Sequence, residues 1–105
     1  MPEILRYAPS RLLVEVDDTL RMEQSAFGAK VRVARAVLGV SQDELGELVG
    51  LTQRSIHRIE QGLVEPRLRT MLTIEQFWND RDIAFDDLPD GGFRLVVKGS
   101  LLRGQ

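Results

Sequence analysis

The sequence predicts a mainly α-helical protein of four to five helices, closed by a small C-terminal β-hairpin. Three observations carry that expectation. Apolar residues Phe27, Val31, Ala34 and Leu38 recur at spacings of four, three and four, the stripe of one helix face. The stretch from Ser41 to Gly62, SQDELGELVGLTQRSIHRIEQG, holds two short periodic segments, each opened by a hydroxyl side chain and closed by a glycine. From Asp82 the period changes to two, around the turn sequence Pro89-Asp90-Gly91-Gly92.

The 105 residues suffice for one domain with one modest core. Hydrophobic content of 43% and charged content of 29% are those of a soluble globular chain. With no cysteine, neither a disulfide framework nor a thiolate metal site can form. No apolar run approaches the ~18 residues needed to span a bilayer. The opening MPEILRYAPSRLLVEVDD turns acidic before a signal-peptide core can form, so a reducing, cytoplasmic setting is expected. The net charge of -2 argues mildly against a polyanionic partner, but it is unevenly spread. Residues 1–29 carry three basic and five acidic side chains, residues 30–73 seven and five, and residues 74–105 four and six. Only the middle segment is positive.

Taken in order, LLVEV (12–16) places Leu12, Val14 and Val16 on one face of a candidate strand. The first helix follows Asp17 and Asp18 or starts at Ser25. Val33 and Val37 form a second stripe roughly 100° from the first, so the N-terminal segment or a partner is expected to cover it. Gly39 supplies a left-handed stop. Ser41 with Glu44 makes a capping box for the second helix, whose buried face is expected to be Leu45, Leu48 and Val49, with Gly50 ending it. Thr52 caps the third helix, Ile56 and Ile59 point inward, and Gly62 terminates it. Two short helices with a glycine in the turn are a helix-turn-helix arrangement.

Pro66, Arg67 and Arg69 introduce a fourth helix over roughly 67–79. Its apolar residues Leu68, Met71, Leu72, Ile74, Phe77 and Trp78 span more than half the circumference, which predicts cover on two sides. Glu75 falls inside that arc and calls for a charged partner or a local exit to solvent. DIAFDDL, PDGG and FRLVVK then read as strand, turn and strand. The tail SLLRGQ is expected to fray. A two-stranded hairpin is marginal in water, so LLVEV is the candidate third strand, from the same chain or a second copy. The chain thus divides into an N-terminal arm with a candidate role in dimerisation (1–25), a helical domain (26–80), and the hairpin with its tail (81–105).

On a helical wheel at about 100° per residue, Gln53, Arg54, His57 and Arg58 share one side of the third helix, while Ile56 and Ile59 fall on the opposite side. Such a helix is held from behind and presents long hydrogen-bonding side chains in front. Reading the major groove of DNA requires that arrangement, with arginine bidentate to guanine and glutamine bidentate to adenine. A merely solvated helix face shares the outline.

The wider pattern separates these readings. SQDELGELVGLTQRSIHRIEQG resembles the helix-turn-helix of the phage repressor and Cro type, the XRE family. Its usual form is Ser-Gln-x-x-Leu-Ala, a glycine four residues on, then a Ser/Thr cap and Ile-x-x-Ile-Glu-x-Gly. The likeness covers roughly residues 29–74, and VRVARAVLG and GGFRLVV resemble small stand-alone bacterial regulators of that family. It implies a repressor-type DNA-binding domain acting as a sequence-specific transcriptional regulator, as a homodimer on palindromic double-stranded DNA with half-sites about 34 Å apart. By the same resemblance Gln53 and Arg54 contact bases, Arg58 reaches bases or phosphate, and His57, like Ser55, meets bases or backbone variably. Gln42 contacts a phosphate and steadies Gln53, and Thr52 and Ser55 also meet the backbone. Arg35 and Glu60 form a partly buried ion pair. Arg67 and Arg69, beside a helix start, are further candidates for phosphate contacts. Gly46 departs from the family's alanine where the two helices cross, at an expected cost of about 1 kcal/mol in helix propensity.

Other chemistry has less support. His57 is the only histidine, and no acid, base and nucleophile converge, so no catalytic residues are expected. No metal, cofactor or membrane association is expected either. Asp86, Asp87 and Asp90 read as turn residues, and Phe77 and Trp78 as core. The competing class is a protein-interaction module, such as an antitoxin whose flanking segments bind a partner protein. With no separate effector domain in view, any signal is expected through a partner, proteolysis or concentration.

Overall fold

The computed structural model describes residues 21–103. The LLVEV segment lies outside them. The described chain is already helical at residue 21, ahead of Ser25, and helix α1 continues to residue 38. It buries Phe27, Val31 and Ala34. It stops at Gly39, whose φ of 68° is the left-handed value, and the Val40 amide donates back to the Arg35 carbonyl at 3.0 Å.

Helix α2 (Gln42–Val49) opens on a complete capping box. The Glu44 amide donates to Ser41 Oγ at 3.0 Å, and the Ser41 amide to Glu44 Oε1 at 3.2 Å. Helix α3 (Gln53–Glu60) starts at Thr52, whose Oγ1 accepts the Ser55 amide at 3.1 Å. Helix α4 (Leu68–Asn79) follows a connection that runs past Gly62 and Pro66. Strands β1 (Ile83–Asp87) and β2 (Phe93–Val97) pair antiparallel, from Ile83 opposite Val97 to Asp87 opposite Phe93. Asp90 Oδ1 accepts the Gly92 amide at 2.9 Å inside the turn. Among the described residues the sheet has these two strands.

One core joins every layer. Leu45, Ile56, Ile59, Ile74, Phe77, Trp78 and Ile83 close on the α1 stripe. A file of aromatic rings ties the hairpin to it. Trp78 lies 5.8 Å from Phe27 and meets Phe85 edge-on at 5.0 Å, and Phe85 meets Phe93 edge-on at 5.3 Å. Lys30 of α1 lies over the Phe93 ring at 5.6 Å and pairs with Asp87 at 2.6 Å, so the hairpin is pinned from α1 and α4 together.

Three sequence expectations need correction. Leu48 is not part of the buried face of α2; it is 56% exposed, because Leu45 and Gly46 fill the inward side of so short a helix. Helix α4 is not covered on both sides, since Leu68 and Leu72 stand 70% and 55% exposed. The described part of the tail does not fray: residues Gly99–Arg103 form helix α5, with half-buried Leu101 packed against the core. Glu75 is half-exposed at the rim of a cleft between α1, α4 and the hairpin turn, a local exit to solvent.

Gly46 acquires a reason. A methyl group there would lie 2.5 Å from the Leu51 carbonyl oxygen, the point where the turn folds back over α2. The propensity lost by glycine is offset by an approach that alanine could make only if the turn moved.

Candidate nucleic-acid interface

Helix α3 is an eight-residue rod with two unlike sides. Ile56 is 0% and Ile59 4% exposed, and both sit in the core. Gln53, Arg54, His57 and Arg58 are all exposed on the other side. The rod cannot roll without pulling two isoleucines into water, at roughly 1.5–3 kcal/mol each. The donor row therefore keeps a fixed heading.

A polar network behind the rod orients its first residue. Arg35 of α1 forks onto Glu60, with Nε 2.6 Å from Oε2 and Nη2 2.8 Å from Oε1, and its Nη1 donates to the Val40 carbonyl at 3.1 Å. Glu60's side chain is only 1% exposed. The carboxylate's hydrogen bonds raise the Arg35 guanidinium above its ordinary value against the opposing desolvation, with its charge a smaller contribution. A raised cationic group contributes stability fully below its unfolded value and loses it only above the folded one. That window lies beyond ordinary alkaline pH, so Arg35 stays charged wherever the protein is handled.

The carboxylate sets the direction of the remaining bonds. Ionised Glu60 only accepts, so Gln42 must turn its Nε2 toward it, at 3.1 Å. Gln42 Oε1 then faces α3 and accepts from Gln53 Nε2 at 2.7 Å. The ion pair on α1 and α3 thereby decides which end of Gln53 points outward. Gln42 Nε2 also lies 3.5 Å from His57 Nδ1. Among the described residues, no buried side-chain nitrogen or oxygen lacks a hydrogen-bond partner.

The other candidates divide in space. Thr52 Oγ1 donates to Ser55 Oγ at 2.9 Å, so both hydroxyls are engaged at the helix start. Ser55, Arg58 and Arg67 line one shallow cleft at the junction of α3 and α4. Arg69 does not join them; it lines a separate apolar groove with Leu48, Leu68 and Leu72, between α2 and α4. That groove was not singled out from the sequence, although the broad apolar arc of α4 was its signal. Among the described residues, no group of three His, Cys, Asp or Glu side chains is placed to hold a metal, and no helix is long and apolar enough to cross a membrane.

Two short helices meeting through a buried glycine, the second anchored within and lined without by donors, define a helix-turn-helix domain. Residues 26–76 match a family model described as a helix-turn-helix domain. Over 67 residues the chain is 36% identical to a protein of Sinorhizobium medicae and to one of Rhizobium meliloti, each named an uncharacterized HTH-type transcriptional regulator. The alignments cover 62% of this chain and 48% of each relative. The chain thus spans about half the length of the curated relatives it matches.

Proposed function

We propose that this chain is a sequence-specific DNA-binding regulator of transcription that inserts α3 into the major groove. The observation that carries this reading is the two-sidedness of α3. Gln53, Arg54, His57 and Arg58 are exposed over a base of buried Ile56 and Ile59. Gln53, its Nε2 engaged by Gln42, keeps Oε1 and one amide hydrogen for an adenine edge. Arg54 and Arg58 reach guanine or phosphate in this reading. Arg67 beside Arg58, together with Thr52 and Ser55, flanks the rod as candidate backbone contacts, while Arg69 reaches DNA only if the duplex passes α4. One rod reads a few base pairs, so the working unit is a homodimer on a palindrome with half-sites about 34 Å apart, and bound there it represses by occlusion.

Selection of duplexes from a random pool tests the reading, with a palindrome as the expected product. On that duplex Arg54→Ala should cost about 1–3 kcal/mol and relax preference at one base pair. Affinity should fall steeply with salt. A flat salt response with a harmless Arg54→Ala would refute major-groove reading. The apolar groove of Leu48, Leu68 and Leu72 favours a second reading, a module that docks a partner protein, as antitoxins do.

A further inference from the structure

We propose that residues 12–16, LLVEV, lie as an antiparallel third strand along the open edge of β2 of their own chain, Leu12 opposite Val97 and Val16 opposite Phe93. The segment is outside the described residues; the edge that takes it is within them. This inference stands apart from the DNA-binding reading and concerns a surface which that reading does not use.

The pairing of β1 with β2 fixes what that edge offers. At one end of the ladder the Leu88 amide donates to the Gly92 carbonyl at 2.8 Å, and at the other the Lys98 amide donates to the Asp82 carbonyl at 2.8 Å. Bonded and unbonded pairs alternate along an antiparallel ladder, so Asp86 with Arg94 and Ala84 with Val96 exchange the bonds between. The amides and carbonyls of Phe93, Leu95 and Val97 therefore point away from β1, and no hydrogen bond from another described residue reaches them. Leu95 stands opposite Phe85, on the face turned to Trp78, yet it is 39% exposed. Val96, on the other face, is 37% exposed. An edge with its backbone open and an uncovered apolar side chain on each face accepts a further strand.

Direction and source follow from where the described chain begins. Arg21 and Met22 share a shallow cleft with Gly91, Gly92 and Phe93, so the chain enters α1 beside the Phe93 end of β2. Five residue steps from Val16 to Arg21 span at most about 18 Å, enough to cross that cleft. An antiparallel strand puts Val16 at this end; a parallel one would put it beside Val97, about 13 Å further on. The antiparallel register also matches position by position. Leu12, Val14 and Val16 join Val97, Leu95 and Phe93 on the inner face. On the outer face Leu13 meets Val96, and Glu15 meets Arg94, whose own contact with Asp86 is a loose 3.6 Å. The parallel register would set Leu13 against Arg94 and Glu15 against Val96. A second copy carries the same side chains, but the short link 17–20 holds the chain's own segment at an effective concentration of roughly millimolar.

The test uses the full chain, which has no cysteine of its own. Leu13→Cys with Val96→Cys puts two thiols at directly opposite positions, within reach of a disulfide. Mild oxidation should consume both thiols and leave one chain's mass on a denaturing, non-reducing gel. Leu13→Cys with Arg94→Cys sets the thiols on a diagonal about 7–8 Å long, so this pair should stay reduced. Amide hydrogen exchange supplies a second readout. Val14→Pro removes the amide that bonds the Leu95 carbonyl, and the Leu95 amide should then exchange about tenfold faster, the loss of about one hydrogen bond, with Ile56 and Ile74 unchanged. Covalent dimers from the first pair would assign the strand to a second copy and overturn the proposal. Ready oxidation of the second pair would overturn the register. Free thiols in both variants, or a Leu95 amide indifferent to Val14→Pro, would show the edge open and overturn the proposal outright.

Discussion

Glu60 is the residue on which the interface turns. Its buried carboxylate is tolerated because Arg35 meets it with two nitrogens and Gln42 with a third. Removing the partner is therefore worse than removing the pair. Arg35→Met leaves a charge without its counter-ion and should cost about 3–5 kcal/mol, read as a lower urea midpoint at unchanged slope. The double variant Arg35→Met with Glu60→Leu should recover much of that loss. It would also leave Gln42 and Gln53 without an enforced direction, so DNA selectivity should stay impaired where stability returns. Equal losses in the single and double variants would show that the pair does not act as a unit.

At the scale of elements, the close approach of α1 to the end of α3 is what places the ion pair. Gly28 makes it possible: a methyl group there would lie 2.4 Å from the Ile59 carbonyl oxygen and 2.8 Å from that of Glu60. Both obstacles are backbone, which cannot rotate aside. Gly28→Ala should destabilise the fold by about 1–3 kcal/mol despite its better helix propensity, measured by thermal or urea unfolding. A stabilised Gly28→Ala would mean that α1 and α3 stand further apart. The start of α3 is cheaper to alter. Thr52→Ala removes the cap on the Ser55 amide together with the bond to Ser55 Oγ and should cost about 1 kcal/mol.

For the whole molecule, the unsettled surface is apolar and lies in two places. The hairpin shows Leu95 and Val96, and the α2–α4 groove shows Leu48, Leu68 and Leu72. Deleting residues 82–105 would not separate them, because Ile83 belongs to the core and its loss would unfold the chain. Surface charges do the separation. If the hairpin holds the proposed homodimer, Leu95→Lys with Val96→Lys should halve the mass by sedimentation, while Leu68→Lys with Leu72→Lys should leave it unchanged. The reverse outcome would move the dimer to α4. Two unchanged masses would reserve the groove for another protein.

Much of this architecture is legible within a few residues of chain. The Ser41–Glu44 box, the Thr52 cap, the glycine stops and the Asp90-Gly91-Gly92 turn are local bonds, and local spacing predicts them. The two-sided character of α3 is likewise a matter of steps of about 100°. Other features depend on where distant segments come to rest. Arg35 and Glu60 stand 25 positions apart, and only family resemblance suggested their pairing, since no spacing rule links them. Leu48, Leu68 and Leu72 look as apolar as the core residues beside them, and packing alone left them outside. The 2.5 Å reach from Gly46 to the Leu51 carbonyl, and the meeting of Gln42 with His57, exist because two helices cross at one angle. Periodicity states which side of a helix is greasy; only the assembled chain decides how much of that side is covered, and which polar groups find each other across the gap.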